Sequence, residues 1–395
     1  MVISSLSSRP FRAERAVSAD GSVYWVVVDE SFALHTEACA WLAGLHGGDR
    51  AYNTQKTYAG RVALYLSYCV EFGVDWTRPS LGQLMAMMRW LVDEPLPSKS
   101  RRPGSEVRYR DKRTANQIMG TVGEFLKWSA LQQWVPPSVV AQLVETKYLH
   151  YTPPGFDEGE DGQHRTVQAR RIKYKVAVKG YEWLSDDEID RILACTTRAR
   201  DRFLVQLLAV TGVRIGEGLG LRREDMHFLP DSKSLGCRVE GPHIHVRRRL
   251  NSNGAFAKSR QSRWIPVEAD TVALYTDYRY EREAFEGGEG GEGGEGCDMV
   301  FVNLFQPPVG EPMKYPNTYE LFQRLAARAG LYAHPHMLRH SAITRWVRSG
   351  VDRDVAQDMA GHASPQSMDP YTHATNEDKR GAVEMVSAKR KERRS

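Results

Sequence analysis

The spacing of apolar positions predicts an N-terminal strand followed by two helical blocks. Val23–Val28 is an unbroken apolar run, which indicates one strand after an irregular basic lead. From Asn53 to Val92, apolar residues recur at steps of three and four, the period of an amphipathic helix. A second stripe of this period precedes Pro136–Pro137, where we expect the helical block to end. This stripe comprises Ile118, Val122, Phe125 and Leu126.

The second half of the chain predicts further helices around a short β segment. Ser185 and Glu188 have the Ser-x-x-Glu spacing of a capping box, so we expect a helix to begin there. Two runs, His243–Val246 and Trp264–Val267, flank a turn at Asn251–Gly254 and predict a pair of strands. The predicted fold class is therefore mainly α with a small antiparallel β-sheet.

Shifts in composition predict where the domains begin and end. We expect an N-terminal extension at 1–30, a small helical domain at 31–145 and a basic linker at 146–180. A larger domain at 181–395 then contains a Gly/Glu-rich stretch at 286–296, which we predict to be a flexible loop without function. The domain ends in a basic tail, which could contact phosphates as a disordered segment.

Composition excludes several classes of protein. The 395 residues include 54 Lys and Arg against 49 Asp and Glu, a net charge of +5 that permits a nucleic-acid partner without requiring one. The five cysteines are scattered and show neither a disulfide framework nor Cys-x-x-Cys spacing. No apolar run is long enough for a membrane span or a signal peptide. We therefore expect a cytoplasmic protein with no membrane partner.

Four blocks in the second half combine phosphate-binding residue types with a tyrosine. They are Thr211-Gly-Val-Arg214-Ile-Gly-Glu217, Lys258 before a predicted strand, His336-Met-Leu-Arg339, and Gly361-His362 with Tyr371 nine residues later. His336 and Arg339 are three positions apart and therefore share one helix face. Asp352 suits an N-cap and Gly361 the position just past the helix end, so we expect His362 to project from a sharp turn.

In order and spacing these blocks resemble the catalytic domain of the tyrosine recombinases, also called the phage integrase family. The family signature is an arginine in TGxRxxE, a lysine in a β-hairpin, HxxR, GH and a tyrosine about nine residues further on. The resemblance covers about residues 180–380, and Asn53–Tyr58 resembles the start of the family's helical core-binding domain. It implies a helical core-binding (DNA-binding) domain followed by a mixed α/β catalytic domain. It also implies a second interpretation of the basic tail, which could dock on a neighbouring protomer.

The resemblance also implies a role for each matching residue. Tyr371 would attack a DNA phosphodiester and form a 3′-phosphotyrosyl bond. Arg214 and Arg339 would hold the two non-bridging oxygens, a task suited to the planar guanidinium fork. Lys258 would be the general acid for the leaving 5′ oxygen. Because Pro370 lacks a backbone donor, we expect Tyr371 to start a helix.

The histidines and the acidic residue receive supporting roles by the same resemblance. His336 would bond the phosphate and assist proton transfer, and His362 would orient the phosphate or the tyrosine. Glu217 occupies the place of an acidic partner that positions the first arginine. We expect His340 to be structural or to support the catalytic residues from outside the reacting group.

The implied function is a site-specific DNA recombinase, the integrase or transposase of a mobile element, independent of metal and ATP and without a cofactor. Its implied partner is double-stranded DNA, on which it would act as a homo-tetramer associated with the nucleoid. Whether accessory proteins take part is left open. Two alternatives are type IB topoisomerase-like DNA relaxation and a non-catalytic DNA-binding derivative of the fold. A metal site at His334, His340 and His373 lacks Cys or carboxylate support, so we expect no metal.

Two basic stretches are candidates for contacts with DNA phosphates on either side of a clamp. The alternative interpretation is a pair of solvated loops. Such contacts would add affinity without sequence information. The candidate residues are Lys99, Arg101, Arg102, Arg108, Arg110, Lys112 and Arg113 in the first stretch, and Arg170, Arg171, Lys173 and Lys175 in the second.

Overall fold

The computed structural model of the protein describes most of the chain. It divides the sequence into two compact units, residues 1–178 and residues 179–395. The described residues are 9–19, 21–48, 50–96, 107–152, 159, 163–177, 182–249, 251–257, 259, 261–286 and 297–371. Several residues considered above lie outside them: Lys99, Arg101, Arg102, Lys258, His373, nearly all of the Gly/Glu-rich stretch and the basic tail.

The first unit consists of helices with small two-stranded sheets. Its helices are α1 (Thr36–Gly47), α2 (Tyr52–Glu71), α3 (Leu81–Asp93), α4 (Lys112–Leu131) and α5 (Pro137–Ala141). Its strands are β1 (Phe11–Val17), β2 (Val23–Asp29), β3 (Pro95–Leu96), β4 (Arg108–Tyr109), β5 (Val144–Tyr148) and β6 (Thr166–Arg170). They pair in the antiparallel hairpins β1–β2, β3–β4 and β5–β6.

The core of this unit lies between α2, α3 and α4. The predicted apolar stripe of α4 is confirmed, since all four of its residues are buried. Trp41 of α1 stacks on Tyr58 of α2, and Phe125 contacts Trp41 and Trp76. Ser80 begins α3 as an N-cap that accepts from the Gln83 N–H. Local capping and apolar periodicity thus agree with the tertiary packing.

Three predictions for this unit need correction. Within the lead, Phe11–Val17 form a strand, β1. The Phe11 backbone N–H donates 3.0 Å to the buried Ser67 hydroxyl of α2, which in turn donates 3.1 Å to the Phe11 carbonyl. A short, strongly charged strand leaves little apolar signal. Pro137 begins α5, because proline fits the first turn of a helix, and α4 has already ended at Leu131. Finally, residues 166–170 of the predicted linker form β6.

The second unit surrounds one three-stranded sheet with helices. The helices are α6 (Asp186–Ala194), α7 (Ala199–Thr211), α8 (Ile215–Gly218), α9 (Ala269–Glu286), α10 (Tyr315–Arg328), α11 (Pro335–Arg348) and α12 (Arg353–Ala360). The sheet joins β7 (Met226–His227), β8 (His243–Val246) and β9 (Arg263–Pro266) in that order, all antiparallel. A 3-10 helix at Pro365–Tyr371 is the last described element.

Aromatic stacking forms the centre of the second unit's core. Phe203 of α7, Tyr278 of α9 and Phe301 stack on one another with centroids 5.4 to 6.1 Å apart. The capping box at Ser185 and Glu188 is confirmed, and so is the strand pair, with β9 displaced by one residue. The predicted class, mainly α with a small antiparallel β-sheet, is confirmed. None of the described helices combines the length and the apolar character that a membrane crossing requires.

Candidate active site

The turn between α7 and α8 positions Arg214. Gly212 ends α7 with φ +59°, and a Cβ there would lie 3.1 Å from Ala342 and from Trp346 of α11. The tight turn places Arg214 as N-cap of α8. Its backbone N–H donates 3.0 Å to Glu217 Oε2, and its Nη1 donates 3.0 Å to Glu217 Oε1. One buried carboxylate therefore fixes both the backbone and the guanidinium of Arg214.

Glu217 also holds a second arginine, which was not expected from the sequence. Arg263 begins β9, donates 2.8 Å from Nη2 to Glu217 Oε2, and donates 2.9 Å from Nε to the carbonyl of Met359. Burial alone would raise the pKa of Glu217, but Arg263 and then Arg214 outweigh it and lower that pKa. The carboxylate is thus ionised at neutral pH and neutralises part of a cationic cluster. Only a basic run around 258–263 marks Arg263 in the sequence, and such runs are usually solvated.

Arg339 of α11 connects two of the signature blocks. It is 2% exposed. Its Nη1 donates 2.6 Å to the carbonyl of Gly212, and its Nη2 donates 2.7 Å to that of Ala360. Burial, followed by the charges of nearby Arg214 and Arg263, lowers the pKa of Arg339 to about 10, so it stays charged at neutral pH. Arg339 therefore ties the end of α7 to the end of α12.

The turn after α12 positions His362. The Asp352 carboxylate accepts from the Asp354 N–H at 2.8 Å, and Gly361 has φ +64°, so the predicted N-cap and helix end are confirmed. A Cβ on Gly361 would lie 2.7 Å from Nη1 of Arg263, so this position requires glycine on both counts. Burial, followed by the charge of Arg339, lowers the pKa of His362 to about 4.

Tyr371 lies in a largely buried pocket and its hydroxyl contacts a histidine. It is 9% exposed and packs with a small apolar cluster that includes Ile343 and Met368. Its Oη lies 2.6 Å from Nδ1 of His340. The ring of His362 stacks against that of Tyr371 with centroids 6.3 Å apart. Tyr371 is the last described residue of the 3-10 helix that begins at Pro365, so it does not start that helix as expected.

His340 is closer to the chemistry than the sequence suggested. It is 6% exposed and lies one turn after His336, with ring centroids 4.5 Å apart. Burial, followed by the charges of His336 and Arg339, lowers the pKa of His340 to about 3. A neutral imidazole at physiological pH can accept the hydrogen of the Tyr371 hydroxyl. His336 itself is exposed at the same end of α11.

These side chains border a polar cleft of the second unit. Arg214, Arg263 and His362 line one part of it, and Asp354 and Asp358 of α12 line another. The basic part offers guanidinium groups to an anion, and paired guanidiniums bind phosphate oxygens more strongly than neutral donors do. The arrangement can therefore bind a phosphodiester beside His362, whose ring stacks on Tyr371.

The described parts of the two candidate basic stretches, 108–113 and 170–175, contact each other around α4. Asn116 of α4 donates 3.0 Å to the carbonyl of Tyr174 and accepts 2.7 Å from its N–H, which fixes the strip 170–175 against α4. Lys112 lies 5.4 Å from the Tyr174 ring. Arg110 is half-buried, with Nη1 3.4 Å from the carbonyl of Leu91. The exposed members are Arg108, Lys112, Arg113, Arg170, Arg171, Lys173 and Lys175.

Acidification is expected to destabilise the second unit. Histidines bind a proton near pH 6.5 when unfolded, whereas the folded pKa is about 3 for His340 and about 4 for His362. At a pH between the folded and the unfolded pKa, the unfolded chain binds more protons than the folded chain. The free energy of unfolding therefore falls as the pH falls. The slope is at most about 1.4 kcal/mol per pH unit for each histidine. Denaturant unfolding at pH 7.0 and 5.5 measures it.

The variant His340→Gln should show a shallower pH dependence than the wild type, because one of the two histidines is removed. His150→Gln, at an exposed position of the first unit, is the matched control and should leave the slope unchanged. Equal slopes in the wild type and in His340→Gln would contradict the low pKa.

Comparison with known proteins agrees with this geometry. The sequence profile of the phage integrase family matches residues 182–378, which include every signature block. The chain belongs to the phage integrase family of tyrosine recombinases. The family expected from the sequence is thereby confirmed, as is its class of activity, the cleavage and rejoining of DNA strands.

Individual members of the family are similar over different lengths. Transposase A from transposon Tn554 of Staphylococcus aureus is 28% identical over 364 residues, covering 90% of this chain and 91% of the relative. The tyrosine recombinase XerD of Neisseria meningitidis is 27% identical over 199 residues, 49% of this chain and 58% of the relative. The similarity to the transposase thus extends through both units.

Solved structures of tyrosine recombinases share the fold. A Tn1549 transposon integrase in complex with transposon right end DNA has a TM-score of 0.53 at 17% identity, covering 89% of this chain and 99% of that one. A lambda integrase dimer bound to a COC′ core site has a TM-score of 0.52 at 15% identity, covering 87% and 96%. At these identities the likeness supports the fold alone.

Proposed function

We propose that this tyrosine recombinase is the site-specific recombinase of a mobile element, an integrase or transposase that cuts and rejoins DNA through a phosphotyrosyl bond at Tyr371. The observation that carries the proposal is that His340 and His362 lie against Tyr371 while Arg339 binds the turns of two other signature blocks. His340 contacts the Tyr371 hydroxyl, His362 stacks on the ring, and Arg339 ties the surrounding turns together. The similarity to a transposase along most of both chains supports the mobile-element role.

Arg214 is the proposed first ligand of the scissile phosphate. Glu217 fixes its guanidinium at the cleft while leaving the side chain partly exposed. A guanidinium already oriented towards the phosphate stabilises the extra negative charge of the pentavalent transition state. Arg339 uses two of its five N–H donors on the Gly212 and Ala360 carbonyls, and we propose that one of the others binds the second non-bridging oxygen.

Tyr371 is the proposed nucleophile. A phenol ordinarily has a pKa near 10 and needs a proton acceptor and a cationic surround to attack. His340 Nδ1 accepts the hydroxyl hydrogen and thereby aims an oxygen lone pair away from itself. The hydroxyl proton passes to His340 Nδ1 as the Tyr371 oxygen bonds to phosphorus and the bond to the 5′ oxygen breaks. Lys258 protonates that 5′ oxygen, and His336 bonds the phosphate and assists proton transfer.

Strand rejoining reverses these steps. The phosphotyrosyl bond conserves the phosphodiester, so a 5′ hydroxyl from another strand can attack it without ATP. The arginines supply the charge stabilisation, and we propose that the reaction requires neither metal nor cofactor. The exposed basic residues around α4 would contact phosphates of double-stranded DNA. Two DNA sites would need a homo-tetramer, with or without accessory proteins, at the nucleoid.

Trapping covalent complexes in cells tests this function. The chain is expressed in its host, cells are lysed in SDS without crosslinker, and DNA attached to the protein is sequenced, with the empty-vector host as background. Adducts at one or a few inverted-repeat sites are expected for a site-specific recombinase. Adducts spread along the genome would overturn it in favour of topoisomerase-like relaxation. Absence of adducts beside occupied sites in formaldehyde-crosslinked cells would leave a non-catalytic DNA-binding protein.

A further inference from the structure

Four side chains that can bind a metal converge beside the sheet of the second unit. His243 and His245 alternate on β8, so their imidazoles lie on one face of the strand. His227 ends the neighbouring strand β7, and Cys237 lies in the loop that joins β7 to β8. One nitrogen or sulfur atom from each residue lies within 4.8 Å of the other three. None of the four belongs to the signature blocks of the recombinase.

Three of the four ligand atoms are separated as in a small tetrahedral cage, and the fourth, on His227, lies within 4.8 Å of them. His243 Nε2 lies 3.1 Å from His245 Nε2, and Cys237 Sγ lies 3.3 and 3.4 Å from these two nitrogens. In tetrahedral zinc sites, with bonds of about 2.05 Å to nitrogen and 2.3 Å to sulfur, two nitrogens lie about 3.3 Å apart and a nitrogen lies about 3.6 Å from a sulfur. The observed distances differ from these by a few tenths of an ångström.

The protons of the two buried histidines point away from the cluster. His243 Nδ1 lies 2.7 Å from the Gly241 carbonyl and His227 Nε2 lies 3.2 Å from the Glu224 carbonyl. A carbonyl only accepts, so each of these nitrogens carries the hydrogen and the other nitrogen of each ring has a free lone pair. His227 Nδ1 is buried without a hydrogen-bond partner among the described residues. Metal-ligating histidines typically donate their second N–H to a carbonyl in this way.

The cysteine sulfur also accepts a backbone hydrogen bond. The Val239 N–H donates 3.4 Å to Cys237 Sγ, which helps to fix the sulfur at the cluster. Without a cation, lone pairs of two imidazoles and a sulfur face one another with too few hydrogens to share, and such buried groups are costly. A cation at the centre satisfies all four.

We propose that His227, Cys237, His243 and His245 bind one Zn²⁺ ion in a structural site. One thiolate and three imidazoles suit the borderline-soft zinc ion, and four protein ligands leave no open position for catalysis. The ion would fasten the loop between β7 and β8 to the sheet. Because β8 pairs with β9, which begins with Arg263, the ion would also stabilise the strand that supports the Glu217 cluster.

Metal analysis of the full-length chain tests the site. The protein is purified from zinc-supplemented cells and dialysed against metal-free buffer before zinc is measured by mass spectrometry. We expect about one zinc per chain and a fall in Tm of about 5 °C or more when a strong chelator removes it. Replacement by Co²⁺ should give a thiolate-to-cobalt charge-transfer band and the intense visible bands of tetrahedral Co²⁺. Less than about 0.1 zinc per chain after incubation with Zn²⁺ would overturn the proposal.

Variants separate this site from adventitious binding. Cys237→Ala should lose the zinc and the charge-transfer band, whereas Cys195→Ala, a half-buried cysteine outside the cluster, should keep both. If Cys237→Ala does not fold, His245→Gln at the half-buried position should weaken zinc affinity at least tenfold, as measured by chelator competition. Full zinc retention in these two ligand variants, or a cobalt spectrum without the thiolate band, would overturn the proposal.

Discussion

The variant Tyr371→Phe should lose strand cleavage by at least about 10⁴-fold while DNA binding stays within about twofold of the wild type. Phenylalanine keeps the ring packing against Met368 and His362 but lacks the oxygen that we propose forms the bond to phosphorus. Cleavage is measured with the purified chain on a nicked substrate that carries a site recovered from cells, and the adduct is quantified by SDS gel electrophoresis.

The control for this variant must lose a buried tyrosine hydroxyl without losing the nucleophile. Tyr278→Phe does so, because Tyr278 is buried in the same unit and donates 2.8 Å to the Val300 carbonyl. Each variant removes the bonds of a buried tyrosine hydroxyl, that of Tyr371 with His340 Nδ1 or those of Tyr278 with the Val300 carbonyl and the Val302 N–H, at about 1–3 kcal/mol of stability. We expect the two variants to show similar losses in Tm, and we expect only Tyr278→Phe to retain cleavage. Adducts that persist in Tyr371→Phe would remove Tyr371 from the mechanism.

Local signals in the sequence were sufficient for much of the fold. Apolar periodicity predicted α4, and a capping box predicted the start of α6, because both depend on residues within one helical turn or one helix face. The strand β1 left no comparable signal. Its partners are β2 and the Ser67 hydroxyl of α2, and the latter is 56 residues away from Phe11 along the chain.

The same difference between local signals and long-range contacts applies to the candidate site. Spacing along the chain was enough to single out Arg214, Arg339 and Tyr371, whose burial and approach are now described. The contacts of Arg263 with Glu217 and of His340 with Tyr371 span 46 and 31 residues. Such contacts depend on where β9 and the 3-10 helix lie in the folded unit. Their positions cannot be deduced from the spacing of residues along the chain. His243 and His245 did carry a local signal, an alternating pair on a predicted strand, but their partners Cys237 and His227 come from outside the strand.

Long-range contacts explain why the site is built around a carboxylate. Arg214, Arg263 and Arg339 interact electrostatically at one end of α12, where three guanidiniums repel one another in a medium of low dielectric. Glu217 neutralises one of these charges and gives two of the groups fixed directions. Arg214 stays partly exposed, with a 26% exposed side chain, so it can still bind an incoming phosphate. Stability and phosphate binding therefore depend on the same acidic group.

Replacing Glu217 by glutamine should destabilise the second unit by about 3–5 kcal/mol, because it leaves buried guanidiniums without a counter-charge. The side-chain amide has one acceptor oxygen where the carboxylate serves Arg214 on one oxygen and Arg263 on the other. A misdirected Arg214 should also lower the cleavage rate about 10²- to 10³-fold. Denaturant unfolding and single-turnover cleavage of folded protein measure the two effects.

Glu224→Gln is the matched control, since this carboxylate also lies between two arginines, Arg247 and Arg249, but is 62% exposed. Water screens that cluster, and we expect a change below about 1 kcal/mol. The deficit of Glu217→Gln should also shrink in acid. The folded pKa of Glu217 lies below its ordinary 4.5, so its contribution is complete above pH 4.5 and is lost as the pH falls through the folded value. Equal losses in the two variants at pH 7 would mean that burial of the Glu217 carboxylate contributes nothing to the arginine cluster.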